Sequence, residues 1–299
     1  EAAYSEQEAV GQILDHAEHL IFNIAQGRDT KGFKHIKDVL QEVYSHLHDL
    51  RVNAEATQGT KTGFSALDRV LAGMGKSDLV LVGARPGMGK TSFALNIATN
   101  VAIKTNKTVC IFSLEMPDEQ LVSRMLSSEA LVNSYSLRSG TLTEEDWTKI
   151  SKAASKLSQT NIYIDDTNNI TVTGMKAKLR RMKNLGLVVI DYLQLMQSDK
   201  HTDNRVLEIG DISRGLKIMA KELAVPVICC AQLSRATESR NDKTPMLSDL
   251  RDSGAIEQDA DIVMFLYRDE YYNEDSGSQS VAEVIVAKNR HGSVDRVKL

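Results

Sequence analysis

The chain has 299 residues, of which 42% are hydrophobic, enough for one large folded domain with a smaller segment beside it. Its 36 Lys and Arg against 40 Asp and Glu give a net charge of −4, which excludes a generally basic protein that coats DNA. No apolar run reaches about 18 residues and no signal-like segment opens the chain, so we expect no membrane span and no membrane partner. Because the chain begins at Glu1 rather than Met, we expect it to be a fragment that lacks upstream residues.

The three cysteines, Cys110, Cys229 and Cys230, lie in apolar runs that are predicted to be buried strands. An odd number of buried thiols is typical of a reducing compartment and not of a disulfide scaffold. We therefore expect a cytoplasmic protein.

Two helices are predicted ahead of the main domain. Capping-box spacing begins at Ser5, apolar residues then recur at helical period to residue 24, and a second helical stretch covers residues 33–52. Residues 54–63 are polar and without periodicity, which is typical of a linker. The two helices pack either on the following domain or on a neighbouring subunit, and the sequence leaves both alternatives open.

From Ser65 onward, predicted strands and helices alternate, as they do in a parallel sheet covered by helices on both faces. After the first strand and the helix that follows it directly, helices are predicted at residues 118–131, 143–157, 172–182 and 207–223. Strands are predicted at residues 79–82, 108–113, 162–164, 187–191, 225–231, 261–267, 282–287 and 294–299. The predicted fold class is α/β, with a mostly parallel central sheet flanked by helices.

A glycine-bearing loop, ARPGMGKT at residues 84–91, joins the first predicted strand to its helix. Strand, loop and helix in this order are typical of the P-loop, where backbone N–H groups at a helix N-terminus bind phosphate. Gly87 and Gly89 permit the backbone to approach phosphate closely, Lys90 is predicted to reach the β- and γ-phosphates, and Thr91 to ligate Mg²⁺. A loop that only turns the chain would not need Lys-Thr there. The predicted nucleotide-binding residues are Arg85, Pro86, Gly87, Met88, Gly89, Lys90, Thr91 and Ser92.

Three polar residues follow other predicted strands. Asp191 closes the apolar run at 187–190, as in the Walker B arrangement, where a carboxylate holds Mg²⁺ through water. Glu115 follows the next strand after the P-loop helix, so we expect it close to the P-loop in the sheet, where it can activate water; alternatively, it only starts a helix. Gln232 ends the strand at 225–231 and is predicted to sense the γ-phosphate.

The connection at residues 233–256 is long for an α/β fold, and long ordered loops are usually functional. Arg251, with the small Ser253 and Gly254, is predicted to grip a nucleic-acid backbone by charge and main-chain N–H groups. The alternative is a solvated mobile loop.

Lys288 and Arg290 lie two apart at the end of a predicted strand, so both side chains point the same way. Paired cations of this kind suit the γ-phosphate of another subunit's site, the arginine-finger arrangement. A surface charge pair would show the same spacing.

Seven motifs together resemble the replicative DNA helicases of the DnaB family, in the order that the family has them. The resemblance covers residues 62–299, as a RecA-like motor domain, and the helix before them resembles the family's linker helix. We expect residues 1–61 to be linker helices and a connecting loop, or a remnant of an N-terminal domain, in a chain that lacks the family's N-terminal collar. The motifs are ARPGMGKT, FSLEMP, VVIDYLQLM, ISRGLKIMAKEL, CAQLSR, DLRDSGAIEQDADIVMFLYRDE and AKNRHG.

The resemblance implies a homohexameric ring that encircles single-stranded DNA, hydrolyses ATP with Mg²⁺ between subunits and moves 5′ to 3′. It implies partners among primase, helicase loader and replicative polymerase components, at a bacterial replication fork or, for a phage protein, in the host cytoplasm. It assigns the P-loop, Asp191, Glu115, Gln232, Lys288 and Arg290 the roles given above. It assigns Arg251, Asp252 and Gly254 to the DNA backbone, although many family members have Glu where this chain has Asp252.

Two alternatives share parts of this pattern. A RecA-like strand-exchange ATPase would form filaments on DNA instead of a ring. A P-loop kinase of a small substrate would turn over nucleotide without a response to single-stranded DNA, and it would have no use for the Lys288–Arg290 pair.

Overall fold

The computed structural model describes residues 33–52, 59–199, 204–273 and 281–299. The chain divides into two units, residues 1–57 and 58–299. In the first unit the structure describes helix α1 (Ile36–Val52), which confirms the helix predicted at 33–52. Asp38 in its first turn and Arg51 in its last turn both favour the helix dipole. The helix predicted at residues 5–24 lies outside the described residues.

The second unit is an α/β domain built on one sheet. Its described α-helices are α2 (Ser65–Leu71), α3 (Lys90–Thr105), α4 (Asp118–Ala130), α5 (Ser134–Ser139), α6 (Glu144–Ser158), α7 (Val172–Leu179), α8 (Arg205–Leu223) and α9 (Gly254–Asp259). Its described strands are β1 (Leu79–Ala84), β2 (Thr108–Ser113), β3 (Ile162–Asp165), β4 (Leu185–Asp191), β5 (Val227–Gln232), β6 (Ile262–Tyr267), β7 (Glu283–Asn289) and β8 (Asp295–Lys298).

The strand order is β3-β2-β4-β5-β1-β6-β7-β8. The first six strands in this order are parallel, and β7 and β8 complete the sheet as antiparallel strands. This confirms the predicted mostly parallel sheet. The eight strands match the eight apolar runs of the sequence, with ends that differ by a few residues.

The core lies on both faces of the sheet because its central strands are apolar at successive positions. Val80 and Val82 of β1 pack with residues of α2 and α3 on one face, whereas Leu79 and Leu81 pack with residues of α7 and α8 on the other. Alternating side chains point to opposite faces of a strand, so an unbroken apolar run requires helices on both sides. The P-loop strand is therefore held rigidly between two layers.

Four helices differ from the predicted elements. Helices α2, α5 and α9 are not among the predicted helices, because one or two turns give too few apolar positions for a helical period. Helix α7 ends at Leu179 instead of residue 182, since Arg181 N and Met182 N bond to carbonyls three residues back, in a tighter turn.

The strand order also corrects one expectation. Strand β2, which precedes Glu115, does not lie beside β1; β4 and β5 stand between them. Crossover helices allow successive strands to skip positions in a doubly wound sheet, and hydrophobic periodicity does not report this order. Helix α3 nevertheless packs on β1, β2, β4 and β5, so the P-loop helix spans the gap.

All three cysteines are buried and free, as predicted. Burial, with a smaller contribution from Asp165, raises the pKa of Cys110 to about 11, and burial raises the pKa of Cys229 and Cys230 further. The thiols are therefore neutral core side chains. Among the helices that the structure describes, none combines the length and the apolar character needed to cross a bilayer.

Candidate functional site

The carboxyl ends of β1, β5, β4 and β2 meet at one edge of the sheet. Registered pairs bring Ala84 level with Gln232, and Ser113 level with Asp191. Leu114 N donates to the Asp191 carbonyl at 2.7 Å, which fixes the backbone just before Glu115. The P-loop, Asp191, Glu115 and Gln232 therefore emerge along the same edge, where ligands bind in open α/β sheets.

The P-loop connects β1 to the N-terminus of α3. Gly87 and Gly89 have φ angles of 83° and 89°, in the left-handed region that favours glycine. A Cβ added to Gly89 would meet no atom within 4 Å, so space is open beside the loop, whereas a Cβ on Gly87 would lie 2.9 Å from Tyr271. Met88 is buried and anchors the loop on the core. Pro86 and Ser92, also predicted to bind nucleotide, are exposed at the two ends of the loop.

The side chains of Lys90 and Thr91 converge on Asp191. Thr91 Oγ1 donates to Asp191 Oδ2 at 2.6 Å, and Lys90 Nζ lies 3.3 Å from Asp191 Oδ1. The ammonium group also lies 4.2 Å from the centroid of the Tyr192 ring. The sequence separates Thr91 from Asp191 by 100 residues, and the sheet brings them into direct contact.

This cluster fits a hard divalent cation. Asp191 is 3% exposed, and its Oδ1 has no hydrogen-bond partner among the described residues, because Lys90 is close enough for charge pairing but lacks hydrogen-bond geometry. A buried carboxylate oxygen without a hydrogen bond is costly unless a ligand compensates it. A carboxylate and a hydroxyl are oxygen ligands of the kind that Mg²⁺ prefers, so Asp191 and Thr91 would hold it.

Gln232 is held by a residue to which the sequence analysis gave no role. The side-chain amide of Gln194 donates to the Gln232 carbonyl at 3.0 Å and accepts from the Gln232 N–H at 3.2 Å. Two opposed bonds fix the backbone of Gln232, whose side chain is exposed at the sheet edge. The only sequence signal for Gln194 is its place in the DYLQLM motif, three residues after Asp191.

Arg85 is one of the predicted nucleotide-binding residues, but its side chain bonds to residues outside the P-loop. Its guanidinium is 7% exposed and donates to Glu238 Oε1 and to the Leu233 carbonyl. The side chain therefore links the P-loop to the segment after β5.

Glu115 is exposed beside the cluster, two residues beyond the end of β2. An exposed carboxylate at this edge has access to water that approaches the phosphate site. The position agrees with the predicted role of a water-activating base.

Lys288 and Arg290 lie at the other edge of the sheet, because β7 runs antiparallel to β6. Lys288 is paired with Val263, which is level with Leu81, and Arg290 N bonds to the Asp261 carbonyl. Strand rise and spacing place the Cα atoms of the two residues on the order of 14 to 20 Å from that of Ala84 in the same chain. They cannot serve the P-loop of their own chain.

The two cations share one acceptor. Lys288 Nζ and Arg290 Nη2 donate to the Gln258 carbonyl at 3.3 and 2.6 Å, and Lys288 also bonds to the Glu257 carbonyl. Both side chains therefore point the same way, as predicted. Burial, and then the charge of Arg290, lowers the pKa of Lys288. An anion placed against the pair would relieve the repulsion between the two cations.

The predicted DNA-contacting residues lie in an ordered segment. Arg251 and Asp252 belong to the 3₁₀ turn Leu247–Ser253, and Gly254 opens α9; their side chains lie outside what the structure describes. Just before them, Asp249 is buried and accepts from Arg240 at 2.8 Å. The buried, hydrogen-bonded Asp249 thus holds this segment in place, which would not be the case in a fully solvated loop.

Comparison with known proteins identifies the family. The DnaB-like helicase C terminal domain matches residues 59–299. The replicative DNA helicase DnaB of Geobacillus stearothermophilus is 51% identical over 300 residues, which cover 99% of this chain and 66% of the relative. The chain thus spans just under two thirds of the length of that relative.

Solved structures agree in fold. One solved ATPase domain has a TM-score of 0.84 at 41% identity, covering 90% of this chain and 95% of that domain. A DnaB-like replicative helicase, studied with its interactions with primase, has a TM-score of 0.81 at 37% identity, covering 96% of this chain and 73% of that protein. The sheet is thus the RecA-like ATPase sheet of these helicases. On the family match and the identity to curated relatives, this chain belongs to the DnaB-like helicase C-terminal domain family.

Proposed function

We propose that this chain is the ATP-hydrolysing motor of a replicative DNA helicase, acting as a homohexameric ring that moves 5′ to 3′ on single-stranded DNA. The observation that carries the proposal is the placement of two half-sites on opposite edges of one sheet. The P-loop with Asp191 forms the first half, and Lys288 with Arg290 forms the second. A ring of like subunits, arranged head to tail, brings each first half against the second half of a neighbour.

Each residue has a distinct part in hydrolysis. Lys90 and the P-loop N–H groups hold the β- and γ-phosphates, and Glu115 accepts a proton from the attacking water. Mg²⁺, held by Thr91 and Asp191, would neutralise charge on the phosphate oxygens. Lys288 and Arg290 of the neighbour stabilise charge that develops in the transition state. Gln232, fixed by Gln194, contacts the γ-phosphate and responds to its loss.

Family membership supports the proposed DNA partner, and the primase contact of the solved relative supports primase as a further partner. A helicase loader and replicative polymerase components complete the proposed set, at a replication fork in the cytoplasm. We also propose residues 62–299 as the motor domain and 1–61 as its linker segment.

The test is to measure ATPase rate with and without single-stranded DNA, together with unwinding of forks that carry only a 5′ or only a 3′ tail. We expect stimulation by DNA and unwinding of the fork with the 5′ tail. Hydrolysis that is indifferent to DNA would favour a P-loop kinase. Stimulation without unwinding, with filaments in electron micrographs, would favour a strand-exchange ATPase.

Replacing Arg251 with alanine is expected to weaken single-stranded DNA binding at every sequence equally, because the side chain neutralises a phosphate. The slope of log affinity against log salt should fall by about 0.7 to 1. Titrations of single-stranded DNA binding at several salt concentrations measure this slope. Arg181→Ala is the control, since Arg181 is exposed near the start of β4, at the far edge of the sheet. Equal slopes for the parent and Arg251→Ala would contradict the proposed contact.

A further inference from the structure

An ion pair between the buried Arg85 and the exposed Glu238 joins the phosphate loop to the segment that follows β5. Arg85 Nε and Nη2 donate to Glu238 Oε1 at 3.0 and 2.5 Å, and Nη1 donates to the Leu233 carbonyl at 2.8 Å. The Arg85 side chain is 7% exposed, whereas that of Glu238 is 46% exposed. A buried guanidinium without partners would be costly, so these bonds hold Arg85 in one orientation. The P-loop and the segment therefore cannot shift independently while the bonds persist.

The contacts continue from this pair toward the predicted DNA-binding residues. Leu233 N donates to the Ala84 carbonyl at 3.1 Å, and Ser234 N donates to the Asp249 carbonyl at 3.0 Å. Asp249 is 5% exposed and also accepts from Arg240 and from Met246 N. Only Leu250, itself buried, separates Asp249 from Arg251 along the chain. A few directed bonds thus lead from the loop that holds nucleotide to the backbone of the residue proposed to hold DNA.

The Arg85–Glu238 pair also lies at a position where a change in the bound nucleotide would act on one of its two residues. Arg85 is the first residue after β1, and its carbonyl accepts from Met88 N at 3.3 Å within the P-loop. Glu238 lies in the 3₁₀ turn Arg235–Ser239, in which Thr237 is buried and its hydroxyl donates to the Ser234 carbonyl. One partner is thus fixed in the phosphate loop and the other in a short turn on the connection between Gln232 and Arg251.

We propose that the Arg85–Glu238 pair is the link by which the nucleotide state of the P-loop sets the affinity of the Arg251 segment for single-stranded DNA. The inference rests on the proposed helicase function. Arg85 is in this respect a positioning residue, because its side chain acts through Glu238. Coupling of two sites is reciprocal, so DNA affinity must depend on the nucleotide, and nucleotide affinity on DNA, through the same pair.

The test uses Glu238→Ala and Glu238→Gln in the whole chain. Dissociation constants for single-stranded DNA are measured with a non-hydrolysable ATP analogue and with ADP, and ATPase rates with and without DNA. We expect the ratio of the two DNA affinities to shrink by about fivefold or more in Glu238→Ala. Glu238→Gln keeps a neutral acceptor for Arg85 and should fall between Glu238→Ala and the parent. The DNA-free rate should stay within about twofold of the parent, because Glu238 meets the P-loop only through the Arg85 side chain, which keeps its bond to the Leu233 carbonyl.

Glu145→Ala is the matched control, since Glu145 forms an exposed pair with Lys149 at 2.7 Å on α6, and it should keep the parental ratio. If both Glu238 variants keep the parental ratio of DNA affinities while the ATPase rate of the parent responds to DNA, the proposed link is wrong and the helicase proposal stands. If the ATPase rate of the parent does not change with DNA, both the link and the helicase proposal are wrong. Thermal unfolding checks the fold of Glu238→Ala, and the graded response of Glu238→Gln distinguishes coupling from damage.

Discussion

Lys90→Ala is expected to lose ATP turnover by at least about 10²–10³-fold, the loss typical when one charge-stabilising donor is removed from a transition state. The Lys90 side chain is 13% exposed and already lies at the P-loop, 3.3 Å from Asp191 Oδ1 and over the Tyr192 ring. Its charge is thus positioned before nucleotide binds, and little reorganisation is needed in the reaction. Alanine removes the cation and leaves the α3 N-terminus in place.

Lys104→Ala provides the control, because Lys104 lies in the last turn of the same helix, away from the P-loop, and bonds to the Gly63 carbonyl at 3.4 Å. Steady-state ATPase rates are compared at saturating nucleotide, with thermal unfolding to show that both variants fold. Removing Lys90 also takes a counter-charge from the buried Asp191, so some loss of stability is expected. Undiminished turnover in a folded Lys90→Ala protein would refute the assignment of the phosphate site.

Arg290→Ala is expected to bind nucleotide but to lose hydrolysis by about 10³–10⁵-fold, the range for an arginine finger. The reason is its location at the edge of the sheet opposite the P-loop, where it contacts the Gln258 carbonyl. It can reach a phosphate only in another copy of the chain. Nucleotide binding is followed with a fluorescent analogue, and hydrolysis by phosphate release.

Mixing variants tests whether the finger acts between subunits. An equal mixture of Arg290→Ala and Glu115→Ala chains contains interfaces with an intact phosphate site on one side and an intact Arg290 on the other, about one in four at random. We expect part of the activity to return. A mixture of Arg290→Ala with the double variant Glu115→Ala/Arg290→Ala contains no intact interface and should stay inactive. No return of activity in the first mixture would contradict a finger in trans.

The elements that carry chemistry could be predicted because each depends on a short, local pattern. The apolar run before Asp191 must be a buried strand, and the glycines before Lys90 permit only a close-turning loop at a helix start. The strands were predicted for the same reason, since central parallel strands are apolar at nearly every position.

Features that depend on how distant segments meet could not be predicted in this way. The insertion of β4 and β5 between β1 and β2 depends on the path of crossover helices, and periodicity does not record it. Gln194, which follows β4, holds Gln232 at the end of the neighbouring strand β5, and Arg85 bonds a residue 153 positions later. Neither pairing has a local sequence pattern. Lys288 and Arg290 lie opposite the P-loop because β7 runs antiparallel to β6, and no local pattern records this direction.

The most direct measurement of a catalytic site shared by two copies is the ATPase rate per chain over a dilution series, with native mass determined at each concentration. We expect the rate per chain to fall with the fraction of assembled protein and to approach zero where only single chains remain. A constant rate per chain, at concentrations where the mass shows only single chains, would contradict the account.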